Sequence, residues 1–181
     1  MKTLRKTITA KVGHLSELSD EDQRLLQEAK LARDNAQAPY SHFKVGVAIR
    51  DEHNGHIHLG CNVERCSWTQ TTHAEQNAID TMVAKDGPTK ILAVGLVAAP
   101  ASEEINLCGE EGESQFKAIE NILVPCGHCL QIIWENCFND PSVKLIAARG
   151  GWVVVTTIGD ALPMRFGPKE LGVDYSKKRR K

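Results

Sequence analysis

Nowhere does the chain carry an apolar run of the roughly 20 residues that a helix needs to cross a bilayer. Its opening, MKTLRKTITA, lacks the apolar block of a secretory leader. Charge of one sign is also lacking: 22 Lys and Arg stand against 23 Asp and Glu, so no net field draws the chain to nucleic acid or an anionic membrane. Aromatic side chains make up only 5%, few for the stacking surfaces of a polynucleotide channel. These absences argue against membrane and nucleic-acid partners. They leave the expectation of a cytoplasmic protein that handles a small, modestly charged molecule.

At 181 residues and 41% hydrophobic, the chain is long enough to close one core and short for two. The expected organisation is an N-terminal extension over 1–18, one domain over 19–175 with an acidic insertion at about 100–121, and a basic tail over 176–181. The tail's KKRRK suits a solubilising end, and it would also serve nuclear entry in a eukaryotic cell. Ser19 or Asp20 caps a helix reaching toward Ala38, with Leu25, Leu26, Ala29 and Ala32 on one stripe. Phe43 to Arg50 and His56 to Cys61 alternate around Asn54-Gly55 as a hairpin. Thr71 or Thr72 caps a second helix through Val83, and the apolar run from Ile91 to Ala99 reads as a strand buried on both faces. A third helix from about Cys126 to Asn136 precedes strands at Val143 to Ala148 and Trp152 to Thr157. This order implies an α/β fold, a three-layer α/β/α sandwich on a central mixed five-stranded sheet.

Six cysteines in a chain expected to be intracellular point to metal or redox chemistry rather than a disulfide frame, and only Cys126 and Cys129 are closely spaced. Cys61, Cys66, Cys108 and Cys137 stand alone and read as small apolar residues or incidental thiols. The informative strings are Thr72-His73-Ala74-Glu75-Gln76 and Pro125-Cys126-Gly127-His128-Cys129, each at the start of an expected helix. His73, Cys126 and Cys129 supply three ligands suited to tetrahedral Zn²⁺ and leave the fourth position for water, as a catalytic zinc requires. Glu75, two residues beyond His73, is the candidate proton shuttle. His128 is expected to turn away from the cluster. His53, His56 and His58 crowd one hairpin but have no evident carboxylate or thiol company, so they read as ordinary polar residues.

Neither string is specific alone, but H-x-E with P-C-x-x-C is the signature of zinc deaminases. At these residues the chain resembles the cytidine deaminase family, in its histidine-ligand form with HAEQ. The likeness extends to Pro39-Tyr40-Ser41-His42-Phe43-Lys44-Val45-Gly46, to Gly60-Cys61-Asn62-Val63-Glu64, and to the stretch from Leu162 to Leu171 with its Phe166-Gly167-Pro168. The resemblance implies hydrolytic deamination of cytidine and 2'-deoxycytidine in pyrimidine salvage. It also implies that Asn62 and Glu64 hydrogen-bond the ribose, Phe43 packs on the nucleoside and the Ala74 backbone holds the base. Gln76 replaces an arginine found in three-cysteine members, in keeping with charge: two thiolates and a neutral imidazole already cancel Zn²⁺. Leu130 stands where arginine is common after the second cysteine.

The family completes its pockets with a neighbouring domain or subunit. The expectation is therefore a homodimer or homotetramer in which Phe166 reaches a neighbour's site. The alternatives are deamination of another aminated heterocycle or nucleoside analogue, a nucleic-acid editing enzyme, and a structural zinc module. The last would leave Glu75 idle and lacks a fourth ligand.

Overall fold

The computed structural model describes residues 1–53, 55–107 and 123–173. Ser19 accepts a hydrogen bond from the Asp22 amide and opens α1 (Asp20–Asp34), whose first turn carries three acids where the helix dipole favours them. Strands β2 (Phe43–Asp51) and β3 (Ile57–Cys61) form the expected hairpin, and its turn includes position 54, outside the described residues. Helix α2 (Ala74–Asp86) is followed by Gly87 at φ 76°, a conformation that favours glycine, and then by β4 (Ile91–Pro100). Helix α3 (Gly127–Asn136), β5 (Lys144–Arg149), β6 (Trp152–Thr157) and a short α4 (Ile158–Ala161) complete this part of the chain.

With β1 (Ala10–His14) at one edge, the sheet is mixed and runs β1-β6-β5-β4-β2-β3, with β4 and β5 parallel and the other neighbours antiparallel. Among the described residues it has six strands rather than five. The sixth, β1 (Ala10–His14), falls in the segment assigned to an extension and pairs along β6, with Ala10 opposite Thr156 and His14 opposite Trp152. An edge strand needs only backbone donors and acceptors to recruit a neighbour, so β1 forms without a strong apolar pattern of its own.

Alternation along the central strands divides the core in two. Val47, Ile49, Val94, Leu96 and Leu145 face α2 and α3, packing with Met82, Ile133 and Trp134. Ala48, Ala93, Val97 and Ile146 face α1 through Leu25, Leu26 and Ala29. The result is the three-layer α/β/α arrangement. Its close approach depends on two glycines: a Cβ on Gly46 would lie 2.1 Å from the Ala29 carbonyl oxygen, and one on Gly60 would lie 2.2 Å from the Ala78 nitrogen. Gly60 thereby lets α2 lie directly on β3.

Two local expectations change. Helix α2 is capped by His73 rather than Thr71 or Thr72, because Thr72 is already engaged in a backbone bridge with Val63, N to O in both directions at 2.9 and 3.1 Å. The beginning of the acidic insertion is not a solvated excursion either. Ile105 and Leu107 are buried in the α1-side core, Glu103 pairs with Arg149 at 2.7 Å, and buried Arg33 donates to the Pro100 and Glu103 carbonyls. Positions 108–122 and the KKRRK tail lie outside the described residues. Among the described residues, no helix is long and apolar enough to cross a membrane.

Candidate active site

Helices α2 and α3 both begin at one end of the sheet, and the residue before each first turn is a candidate ligand. His73 is the N-cap of α2 and Cys126 the N-cap of α3, both with extended backbone and no side-chain cap bond, so their side chains are not spent on their own helices. Cys129, one turn further along α3, is fully buried. His73 Nδ1 lies 3.4 Å from Cys129 Sγ and 3.7 Å from Cys126 Sγ. All three donor atoms fall within 4.8 Å of one another. Zinc bonds of about 2.3 Å to sulfur and 2.0 to 2.1 Å to nitrogen set tetrahedral S···N edges near ~3.6 Å, so the two distances bracket what Zn²⁺ needs.

Glu75 is buried in the first turn of α2, where its carboxylate acts on Cys129. Burial first, and the Glu75 carboxylate next, push the Cys129 thiol well above its ordinary range. A thiolate at this position therefore calls for a cation, and the donor set fits Zn²⁺. His128 is exposed and stands outside the three-donor group, and its ring packs edge-on to that of His73 at 5.6 Å.

The cluster opens into a cavity of about 420 Å³ that holds Phe43, Asn62, Glu64, Ala74 and Glu75 in its wall along with His73 and Cys126. This volume suits a nucleoside-sized ligand. Asn62 spans the start of β2: its Oδ1 accepts from the Val45 amide and its Nδ2 donates to the Phe43 carbonyl, both at 2.9 Å. Glu64 is buried and accepts from the Tyr40 amide at 2.9 Å, the Ser41 amide at 3.1 Å and the Ser41 hydroxyl. Burial by itself would raise its carboxyl, but the hydrogen bonds from Ser41 and Tyr40 outweigh it and hold the group below the ordinary carboxylate range. Both residues thus fasten the Pro39–Val45 segment while bordering the pocket.

Phe166 does not join this wall. It is 57% exposed, and its carbonyl accepts from Gln131 Nε2 of α3 at 2.9 Å. Arg165 beside it lies 4.3 Å over the Trp134 ring. Sequence reasoning missed Trp68, Leu123 and Val124, apolar pocket residues that are otherwise exposed. Trp68 sits in a 3-10 turn (Trp68–Gln70) at φ 23° and packs on Tyr40 at 5.8 Å between rings. A lone tryptophan between two motifs was the available signal.

Residues 19–143 match the family model described as the cytidine and deoxycytidylate deaminase zinc-binding region, which contains the whole His73, Cys126 and Cys129 cluster. Fold and site therefore define an enzyme of the hydrolytic deaminase class. Curated relatives narrow it further. The chain is 32% identical over 149 residues to a cytidine deaminase of Sporosarcina psychrophila, covering 82% of this chain and 93% of that one. It is 31% identical over 157 residues to a cytidine deaminase of Proteus mirabilis, covering 85% of this chain but only 42% of the longer relative. The crystal structure of cytidine deaminase from Burkholderia pseudomallei superposes with a TM-score of 0.61 at 32% identity, covering 79% of this chain and 97% of that one. The chain belongs to the cytidine deaminase family.

Proposed function

We propose that this enzyme converts cytidine and 2'-deoxycytidine to uridine and 2'-deoxyuridine in pyrimidine salvage, using one Zn²⁺ held by His73, Cys126 and Cys129. The observation that carries the reading is the three-donor cluster beside buried Glu75 in the wall of a nucleoside-sized pocket. Zn²⁺ bound there would supply Lewis-acid activation of water. Glu75 accepts a proton from the attacking water and delivers it to N3 of the pyrimidine. As the oxygen bonds to C4, the second water proton passes through the same carboxylate to the amino group. The C4–N4 bond then breaks and ammonia leaves, so water and cytidine balance uridine and ammonia.

The ring lies between Phe43 and the start of α2, where the Ala74 backbone holds its polar edge. Asn62 and Glu64, already fixed by their bonds to the Phe43–Val45 backbone and the Tyr40-Ser41 amides, present their remaining hydrogen-bonding capacity to the ribose hydroxyls. A site built to pair with sugar hydroxyls rejects a ligand that lacks them. Exposed Phe166, with Met164 and Leu171 also exposed in the same stretch, closes the pocket of a second copy in a homodimer or homotetramer.

Steady-state assays on cytidine, 2'-deoxycytidine, cytosine and adenosine test the substrate assignment. Turnover of both pyrimidine nucleosides with poor use of cytosine and adenosine is expected. Equal specificity constants for cytosine and cytidine would contradict ribose recognition, and preferential turnover of adenosine would contradict the ring assignment.

A further inference from the structure

Among the described residues, a second cluster of metal-ligating side chains lies at the opposite end of α2. Its histidines belong to the β2–β3 hairpin, and its carboxylates become visible only in the fold. Asp51, the last residue of β2, is fully buried. Asp86, the last residue of α2, reaches the same place from 30 positions beyond His56. His56 Nδ1 lies 3.0 Å from Asp86 Oδ2, and donor atoms of Asp51, His56 and Asp86 all fall within 4.8 Å of one another.

We propose that Asp51, His56 and Asp86 form a second divalent-cation site, suited to a transition metal such as Co²⁺ or Zn²⁺. The site is separate from the deaminase pocket by the length of α2, about 20 Å for 13 residues. One imidazole and two carboxylates match the donor preferences of first-row divalent ions, and the last turn of a helix adds partial negative charge that favours a cation.

The surroundings match what such a site needs. His58 is buried, with Nε2 2.9 Å from Asp51 Oδ2 and 3.4 Å from Asp86 Oδ2. Its Nδ1 is buried without a hydrogen-bond partner, so its polar contacts run through Nε2. His58 Nε2 thus lies between the two carboxylates and orients them, as outer groups do around bound metals. The remaining Asp51 oxygen accepts from the His53 amide at 3.0 Å. His56 and Asp86 are 40% and 15% exposed, which gives the ion an entry path and room for water ligands. The competing arrangement is a metal-free network in which His58 alone bridges the carboxylates.

Titration of metal-free protein with Co²⁺, followed by ultraviolet and visible absorption and by equilibrium dialysis, separates these alternatives. Wild-type protein is expected to take up about two equivalents: one with thiolate-to-cobalt charge-transfer bands from the cysteine site, and one without them. His56→Ala and Asp86→Asn should each lose the equivalent without thiolate bands and keep the other. Cys129→Ala should weaken the thiolate bands while the non-thiolate equivalent persists. His56 is half exposed, so His56→Ala should fold, and retained cytidine turnover with zinc restored would verify it. Uptake by wild-type protein of a single equivalent, with thiolate bands, would overturn the proposal, as would survival of the non-thiolate equivalent in both His56→Ala and Asp86→Asn.

Discussion

Gly60→Ala separates the fold's control of the pocket from the chemistry of the pocket residues. A Cβ at position 60 would lie 2.2 Å from the Ala78 nitrogen, 2.4 Å from the Ala74 carbonyl oxygen and 2.8 Å from the Ala78 Cα, whereas ordinary contact begins at 3.4 Å. All three obstacles are helix backbone, so no rotamer change relieves them. Either α2 or the edge strand β3 must withdraw by about 1 Å. Withdrawal of α2 carries His73 and Glu75 away from Cys129, stretching a His73–Cys129 separation that is 3.4 Å in the native arrangement. Withdrawal of β3 instead displaces Asn62, which follows it directly.

The expected stability loss is about 1 to 3 kcal/mol or more, the usual range for overpacking. A roughly 1 Å misplacement of reacting groups should cost turnover on the order of 10²-fold. Urea unfolding, zinc content and cytidine turnover measured on the same preparation report all of these effects. Gly127→Ala is the control: a Cβ there meets nothing within 4 Å, and alanine at a helix start should leave the urea midpoint equal or slightly higher. A wild-type midpoint, full zinc and normal turnover in Gly60→Ala would refute the reasoning.

Glu64 adds a pH dependence. Its folded-state carboxyl is held below the unfolded value of about 4.3, so its contribution to stability is complete above that value and is lost as pH falls through the lower folded value. The gap in urea midpoint between wild type and Glu64→Gln should therefore narrow on acidification, and a gap that widened would contradict the assigned hydrogen bonds. Asn62→Ala removes two hydrogen bonds to the start of β2, and about 1 to 3 kcal/mol of stability should go with them along with a raised KM for cytidine. An unchanged midpoint and KM would show that the amide neither fastens β2 nor meets substrate. Mixing inactive Glu75→Gln chains with inactive Phe166→Ala chains should restore activity if Phe166 acts in a neighbour's pocket, and a mixture that stays inactive would count against that role.

The parts of this molecule legible in the sequence are those set by short-range rules. Ser19 capped the helix it precedes, and the apolar run beginning at Ile91 became the strand buried on both faces. HAE and PCGHC met because each begins a helix at the same end of one sheet. Features that depend on distant partners were hidden. Strand β1 exists because β6 offers it an edge, and Asn62 acts on backbone 17 and 19 positions away. His56 and His58 lacked carboxylates in the sequence only because Asp86 is delivered to them by the far end of α2, while Asp51 turned out to be buried with His58. Trp68 was missed because its irregular turn carries no periodic signal.

Zinc content and cytidine turnover of Glu75→Gln, measured together, test the central claim most directly. The substitution keeps the size of a buried side chain that is absent from the proposed ligand set and removes its capacity to carry a proton. Zinc should stay at the wild-type level while turnover falls by at least about 10² to 10⁴-fold, the share expected of a general acid–base. A protein with wild-type zinc that still deaminates cytidine at a near-normal rate would contradict the account.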